Sequence, residues 1–345
     1  MSAAAETSRV ASGARDADSS PLLTVSNLTR RYGTRTAVDD VSFALGPGIT
    51  GLLGPNGAGK SSLMTCLAGI AAWDAGTIRI GDADVARQPR AARKLLGFMP
   101  ERVAFPNEMR VTEYLSFVAE VKRLPRPERA AAVELGIART GLSAVQDRIV
   151  GNLSKGNKQR VGMAQALMGD PLVTILDEPM NGLDPLNILD MRAMLQEYGR
   201  TRSVVVSTHL LTDARLMCNN VLVMAMGKLV YRGLPSEMAE GMGHAVRLRI
   251  RIHARISPTP ADLVEGTSLV DVDTDDRGTT LLVQARDDAA VSALVRAWSA
   301  AWPVTTVEST ADSLEEAFRD AVLGSVIPGT ELTDHQKETR QKADG

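Results

Sequence analysis

Aromatic side chains are scarce in this sequence, which has 5 Phe, 4 Tyr and 3 Trp among 345 residues. A core with so few rings must be built mainly from Ala, Val, Leu, Ile and Met. Cysteine is rarer still, because Cys66 and Cys218 are the only two and they form no CxxC pair. This spacing argues against a disulfide framework and against a zinc ribbon, and it fits a reducing cytosol.

Long apolar runs and an excess of one charge are also missing. No window of about 18 apolar residues is present, so we expect the chain not to cross a bilayer by itself. The first 20 residues contain no apolar segment of the kind a secretory signal needs. With 39 Lys and Arg against 41 Asp and Glu, the net charge is −2. This balance argues against a surface devoted as a whole to nucleic acid or anionic lipid, and it leaves room for a local patch.

Apolar and polar runs divide the chain into two folded regions between two polar ends. Residues 1–20 and 326–345 are polar and unpatterned, which predicts a disordered leader and a disordered tail. In residues 21–243, short apolar runs alternate with helical patterns, which predicts an α/β domain with a largely parallel sheet. Its strand candidates are Leu22–Val25, Ile49–Leu53, Thr77–Ile80, Leu172–Leu176 and Ser203–Ser207.

Residues 244–325 follow another pattern and predict a smaller α+β domain. Aliphatic residues from Val246 to Ile252 alternate with three arginines, which is typical of a half-buried strand with a solvated face. A patch for nucleic acid or lipid headgroups is the less favoured interpretation of these arginines. Together with this strand, the elements that follow have the order β-α-β-β-α-β of a ferredoxin-like unit, and a last helix closes the region. The elements are a helical piece (Ala261–Glu265), strands Ser268–Asp273 and Thr279–Ala285, a helix (Asp287–Trp302), a strand (Val304–Val307) and a last helix (Ser313–Leu323).

The most specific motif is the glycine-rich loop in ITGLLGPNGAGKSSL. Gly54, Gly59, Lys60 and Ser61 satisfy G-x-x-x-x-G-K-[ST], after an apolar strand and before a predicted helix. Glycines let successive N–H groups point at phosphate oxygens, and the helix N-terminus adds its positive dipole end. Lys60 offers a charge for the β- and γ-phosphates, and Ser61 offers a hydroxyl for Mg²⁺. The motif predicts a nucleotide site, and its flanking strand and helix argue against a chance glycine-rich turn.

Two acids and a histidine follow later apolar strands. Asp177 and Glu178 come after Leu172–Leu176, at the carboxyl edge where open α/β sheets bind ligands. Asp177 is suited to hold Mg²⁺ through its water shell, and Glu178 to orient or deprotonate an attacking water. His209 follows the next strand and is placed to contact the γ-phosphate. Without the phosphate loop, these residues would be interpreted as a polar strand end and a surface histidine.

Seven sequence elements, taken in order, resemble the ATP-binding cassette family, the ATPase subunits of ABC transporters. They are Tyr32 in RRYG, the phosphate loop, GFMPE, LSKGNKQR, ILDEP, NGLD and STHL, which together span about residues 22–233. LSKGNKQR is similar to the signature sequence of that family. The resemblance implies a phosphate-loop NTPase cassette with a mixed sheet, helices and a helical signature subdomain.

The same resemblance implies ATP and Mg²⁺ as cofactors and gives roles to individual residues. Tyr32 stacks on adenine, Glu178 is the catalytic base, and His209 is the switch histidine. Ser61, Asp177 and Glu101 are the implied metal ligands. The implied nucleotide-binding residues are Tyr32, Gly54, Pro55, Asn56, Gly57, Ala58, Gly59, Lys60, Ser61, Ser62, Glu101, Ser154, Gly156, Asn157 and Asp184.

A mechanism with two copies of the cassette follows from the resemblance. Ser154, Gly156 and Asn157 contact ATP bound to the opposite subunit, and Asp184 lies at the dimer seam. ATP holds the closed dimer together, and hydrolysis lets it reopen. The implied partners are a second cassette and a membrane permease, with the chain at the cytoplasmic face of the membrane and no nucleic acid bound. The segment SLEEAF resembles the C-terminal element of exporter ATPases.

Two departures from the family pattern and two other protein classes stay open. Lys155 and Asn157 stand where the signature commonly has Gly and Gln, and Glu101 stands where the family usually has Gln. An ionised carboxylate at Glu101 can ligate Mg²⁺ but donates no hydrogen bond. A soluble cassette ATPase acting on ribosomes or nucleic acid is the runner-up function. A phosphate-loop kinase would leave LSKGNKQR unexplained.

Overall fold

The computed structural model describes residues 20–208, 211–238, 246–259, 262–286 and 288–309. Its strands are β1 (Leu23–Tyr32), β2 (Arg35–Leu45), β3 (Gly48–Leu53), β4 (Ala75–Ile80), β5 (Ala83–Asp84), β6 (Leu96–Met99), β7 (Val173–Asp177), β8 (Ser203–Ser207), β9 (Asn220–Ala225), β10 (Lys228–Gly233), β11 (Val246–Ile252), β12 (Thr267–Asp275), β13 (Gly278–Ala285) and β14 (Val304–Ser309). Its α-helices are α1 (Lys60–Leu67), α2 (Pro89–Lys94), α3 (Val111–Val121), α4 (Arg126–Arg139), α5 (Lys155–Leu167), α6 (Pro185–Gly199), α7 (Leu211–Met217) and α8 (Asp288–Ala301).

A six-stranded sheet in the order β10-β9-β3-β8-β7-β6 forms the centre of the first domain. Its strands from β9 to β6 run parallel, and β10 is antiparallel to β9. β3, β7 and β8 are almost entirely buried, as expected for parallel strands with both faces covered. Ser207 pairs with both Leu52 and Asp177, so β3, β8 and β7 end side by side. This sheet confirms the predicted α/β cassette.

Two of the predicted strands lie outside this parallel sheet. The candidates Leu22–Val25 and Thr77–Ile80 fall in β1 and β4, which belong to a separate sheet of order β2-β1-β4-β5. Its pairs β1–β2, β1–β4 and β4–β5 are all antiparallel. Only two residues connect β1 to β2, and a connection this short can join antiparallel strands but not parallel ones. The hairpin places Tyr32 opposite Arg35 at its tip.

The helical signature subdomain contains α3, α4 and α5. Their apolar faces share one core, to which Leu115, Ile137 and Val161 contribute fully or almost fully buried side chains. Tyr114 of α3 donates a hydrogen bond from its hydroxyl to Gln165 of α5. The ammonium of Lys122 donates to the carbonyls of Ala166 (3.2 Å) and Met168 (2.8 Å) at the C-terminal end of α5. These contacts fix the helix that begins with the signature sequence.

The C-terminal sheet has the order β12-β13-β11-β14, with all three neighbouring pairs antiparallel. α8 lies between β13 and β14 in the chain and adds Leu294 and Trp298 to the core on one face of the sheet. The observed strands and α8 follow the predicted ferredoxin-like order. Of the predicted helical piece Ala261–Glu265, Ala261 lies outside the described residues, and residues 263–265 form a bend and a turn instead of a helix. The helix Ser313–Leu323, the leader, the tail and the domain boundary after residue 243 also lie outside the described residues.

Two arginines of β11, Arg249 and Arg251, lie near carboxylates on other strands of the sheet. Arg249 lies opposite Glu308 of β14. Arg251 forms an ion pair with Asp275 of β12, with 2.6 Å between guanidinium and carboxylate. The hydrogen bond from Arg251 lowers the pKa of Asp275. This charge pairing is typical of a solvated sheet face. Among the described residues, no helix combines the length and apolar character that crossing a membrane requires.

Candidate functional site

A cleft of about 660 Å³ opens at the carboxyl edge of the six-stranded sheet. Its volume lies within the range of small-molecule and cofactor sites. The cleft is lined by Tyr32, Arg35, Ala37, Pro55, Asn56, Gly57, Gly59, Lys60, Ser61, Ser62, Glu101, Asp177, Glu178 and Asn181. The structure therefore brings together the predicted adenine platform, most of the phosphate loop and the three predicted carboxylates.

The phosphate loop needs glycine at two positions because its backbone passes very close to neighbouring strands. At Gly54 (φ 149°) an added Cβ would lie 2.4 Å from the carbonyl oxygen of Met224 in β9. At Gly59 (φ 107°) it would lie 2.1 Å from the carbonyl oxygen of Ala37 in β2. Gly54 and Ala58 are buried beneath the loop, so they support the cleft without lining it. A loop with this backbone is shaped to surround phosphate groups.

Lys60, the first residue of α1, folds its side chain back onto the loop. Its ammonium donates to the carbonyls of Gly54 (2.5 Å) and Pro55 (3.0 Å). Burial lowers the pKa of Lys60, whereas the nearby carboxylates of Glu178 and Asp177 act in the opposite direction. A phosphate group bound here would form a charge-assisted hydrogen bond with the partly buried ammonium of Lys60, which here donates to two neutral carbonyl groups.

Asp177 and Glu178 share a hydroxyl group on the next strand. Ser207 of β8 donates to Oδ1 of Asp177 and accepts the N–H of Glu178 at 2.8 Å. Glu178 has φ 48°, the left-handed conformation that residues with a Cβ seldom adopt. Together with Ser61, Asp177 provides the hard oxygen donors that Mg²⁺ prefers. The residues of this edge therefore fit both a nucleotide and its magnesium ion.

Tyr32 stands at the tip of the β1–β2 hairpin with 48% of its surface exposed. The guanidinium of Arg30 lies 4.6 Å from the centre of its ring. Across the hairpin, Arg35 donates to the carbonyl of Gly57 at 2.8 Å and lines the cleft. Sequence reasoning missed Arg35, Ala37 and Asn181. The register that puts Arg35 opposite Tyr32 is a signal that could have found Arg35, because the two-residue turn fixes it.

The residues predicted to act on a second copy do not line this cleft. Ser154 caps α5 by accepting the N–H of Asn157 at 3.3 Å, and Gly156 lies between them. Asp184 caps α6 by accepting the N–H of Asn187 at 3.0 Å, a bond that lowers the pKa of Asp184. His209 lies outside the described residues. The proposed roles of these residues stay predictions.

Lys155, the departure from the signature pattern, reaches toward the loop that follows β7. Its ammonium donates to the side-chain oxygen of Asn181 at 3.2 Å. Its aliphatic stem runs against Gly182, where an added Cβ would lie 2.6 Å from it. The side chain thus spans from the signature sequence to NGLD in the same copy of the chain.

Comparison with known proteins identifies the family. The family model described as "ABC transporter" matches residues 38–181, which hold the phosphate loop, LSKGNKQR and ILDEP. An uncharacterized ABC transporter ATP-binding protein, YxlF of Bacillus subtilis (strain 168), is 32% identical over 64% of this chain and 73% of its own length. The chain belongs to the ABC transporter family.

Other relatives place the ABC chain among ATP-binding subunits of several kinds. Nod factor export ATP-binding protein I of Paraburkholderia xenovorans (strain LB400) is 35% identical over 61% of this chain and 69% of its own. Sulfate/thiosulfate import ATP-binding protein CysA of Mycobacterium tuberculosis (strain ATCC 25618 / H37Rv) is 34% identical over 65% of this chain and 64% of its own length. The structure of cbiO1 from Clostridium perfringens, described as part of the ABC transporter complex cbiONQ, is 30% identical with a TM-score of 0.55. It covers 63% of this chain and 90% of cbiO1.

These matches establish the general activity of the ABC chain and leave its direction and partners to be proposed. The chain is an ATP-binding subunit of an ABC transporter, and membership of this family implies ATPase activity. Relatives of similar identity are named for export and for import.

Proposed function

We propose that this ABC subunit binds ATP with Mg²⁺ and hydrolyses it to drive a separate membrane permease, in the direction of export. One observation carries the proposal. The cleft brings Lys60, Ser61, Asp177 and Glu178 to one edge of the sheet, beside Tyr32 on a separate hairpin. These side chains come from three distant segments of the chain and supply the cation, the oxygen donors, the base and the aromatic platform that ATP hydrolysis needs.

In the proposed reaction, Glu178 is the general base. Its carboxylate takes a proton from a water molecule, whose oxygen attacks the γ-phosphorus as the bond to the β–γ bridging oxygen breaks. Lys60 stabilises the charge on the β- and γ-phosphate oxygens, and the loop N–H groups surround them. Ser61, Asp177 and Glu101 would hold Mg²⁺, which when bound neutralises phosphate charge. His209 is proposed to contact the γ-phosphate.

A second copy of the cassette is proposed to complete each site. Ser154, Gly156 and Asn157 lie away from the cleft of their own chain, which supports their use on the nucleotide of a partner cassette. Asp184, at the start of α6, is proposed to lie at the dimer seam. ATP would hold the two copies together because the closed dimer makes contacts that the open one lacks.

The permease, the export direction and the domain division belong to the same proposal. Relatives named for export, and cbiO1 as part of a transporter complex, support a membrane partner and a position at the cytoplasmic face of the membrane. We propose residues 21–243 as the cassette and residues 244–325 as an accessory domain. The runner-up, a soluble cassette ATPase acting on ribosomes or nucleic acid, draws little support from the β11 arginines because Arg251 is paired with Asp275.

Two measurements test this proposal. ATPase activity of the full chain is measured alone, with a co-purified membrane subunit in vesicles, and with RNA. We expect the membrane subunit to stimulate hydrolysis and RNA to leave it unchanged, whereas stimulation by RNA alone would overturn the transporter assignment. Transport into or out of those vesicles then decides between export and import.

A further inference from the structure

The backbone of Glu178 is held from two sides by side chains from distant segments. The residue adopts φ 48°, a conformation that persists in a residue with a Cβ only when its surroundings fix it. Its N–H donates to Oγ of Ser207 at 2.8 Å. Its carbonyl accepts from the side-chain amide of Gln159 at 2.9 Å. The first contact comes from the sheet and the second from α5.

Ser207 connects the two acids through one hydroxyl group. Its side chain is fully buried, at the end of β8. The single hydroxyl proton goes to Oδ1 of Asp177, and a lone pair of the same oxygen accepts the N–H of Glu178. The position of Glu178 relative to Asp177 is therefore set by a group that itself does not line the cleft.

Gln159 belongs to a row of contacts between α5 and the segment that follows β7. Lys155 donates to Asn181, Gln159 to the carbonyl of Glu178, and Arg160 to the side chain of Asn187. These three side chains occupy one and a half turns at the start of α5. The segment after Asp177 is therefore hydrogen-bonded to α5 as well as to the sheet.

We propose that Ser207 and Gln159 are positioning residues that hold Glu178 where its carboxylate meets the attacking water. The inference rests on the proposed role of Glu178 as the base. Because Ser207 belongs to the sheet and Gln159 to the signature helix, the base is placed correctly only while these two parts keep their relative position. Hydrolysis then depends on the orientation of α5 even where ATP binding does not.

Steady-state ATPase kinetics and equilibrium ATP binding of the full chain test the proposal. We expect Ser207→Ala and Gln159→Leu each to lower kcat about 10- to 100-fold, the effect of displacing a catalytic group. The dissociation constant for ATP, measured without Mg²⁺ because Ser207 also contacts the proposed metal ligand Asp177, should change less than about threefold, since the phosphate loop is untouched. Ser207→Thr keeps the hydroxyl and should recover most of kcat.

Matched controls come from the same elements or the same chemistry. Ser203→Ala removes a buried hydroxyl from the other end of β8, where Oγ makes no hydrogen bond within the described part of the chain. Gln196→Leu removes an amide that donates to the carbonyl of Leu216 at 3.2 Å, away from the cleft. Both should keep kcat within about twofold of the unmodified chain, as is usual for substitutions away from special features.

Combination with Glu178→Gln separates positioning from other effects. Once the base is removed, Ser207→Ala should lower the residual rate by less than about threefold, because the two changes affect one step. A full multiplicative loss, or kcat values equal to those of the controls, would overturn the positioning role while leaving the proposed function in place. Full turnover by Glu178→Gln itself would instead overturn the base. Thermal unfolding identifies a misfolded variant. If Ser207→Ala is misfolded, Gln159→Leu provides the test, and if Gln159→Leu is misfolded, Ser207→Ala provides it.

Discussion

The two halves of the cleft are built in different ways. The phosphate loop is fixed by its own backbone, with Gly54 and Gly59 pressed against main-chain carbonyls and Lys60 bonded to carbonyls of the same loop. The acidic half is fixed by side chains from elsewhere, with Ser207 and Gln159 holding Glu178. A loop held by its own main chain tolerates changes around it, whereas one held by distant side chains responds to movements of the elements that carry them.

The largest effect is expected in the acidic half, at Glu178 itself. Glu178→Gln should lower kcat by about 100- to 10,000-fold, the usual contribution of a general base. ATP binding should persist, and a nucleotide-dependent dimer should accumulate on size-exclusion chromatography. Glu197→Gln, an exposed glutamate of α6, is the matched control and should keep its activity. Equal turnover in the two variants would show that Glu178 is not the base.

The corresponding change in the phosphate loop should act on binding. Lys60→Ala should weaken ATP affinity about 10- to 100-fold, because a hydrogen bond to a charged group is worth about 1.5–3 kcal/mol. Isothermal titration with ATP measures the change. Lys94→Ala, in the exposed last turn of α2, should bind as the unmodified chain does. If Lys60→Ala binds ATP with unchanged affinity, Lys60 does not contribute to nucleotide binding.

Backbone fit in the loop can be tested by adding one carbon atom. Gly59→Ala should lower the free energy of unfolding by about 1–3 kcal/mol, the cost of a strained backbone position, and should also weaken ATP binding. Gly46→Ala is the control, since no atom lies within 4 Å of its added Cβ. Urea unfolding compares the two. Equal stability would mean that the loop moves away from Ala37 at little cost.

The smallest effect concerns the far end of α5 and depends on pH. Burial lowers the pKa of Lys122 from 10.5 to about 8. Between about pH 8 and pH 10.5, Lys122 carries its proton in the unfolded chain but has lost it in the folded chain. The free energy of unfolding should therefore rise with pH across this range. The gain should be about 1–2 kcal/mol between about pH 7 and pH 9.5. Lys122→Met should remove this part of the slope in urea unfolding. A steeper or equal slope in the variant would contradict the assignment.

The difference between the two halves also decides what could be predicted from the sequence. The phosphate loop was predictable because its glycines, Lys60 and Ser61 are neighbours in the chain. Five strands of the first domain were predicted from short apolar runs, whereas β2, β5, β6, β9 and β10 were missed. The separate sheet of β1 and β4 was also missed, because it depends on the pairing of two strands that are distant in the chain. Ser207 and Gln159 gave no signal in the sequence, because each contacts Glu178 from a segment 29 or 19 residues away. Arg35 could have been found only through the hairpin register that places it opposite Tyr32.

The hairpin tip also bears on which nucleobase the site accepts. The ring of Tyr32 has a guanidinium near its face, so a base that stacks there would join a short column of flat groups. Stacking contacts the flat face of a base, which all bases have, and does not contact the edge groups that distinguish one base from another. The phosphate loop, by contrast, responds to each phosphate through Lys60 and its N–H groups. We therefore expect this cleft to distinguish a triphosphate from a monophosphate far better than adenine from guanine.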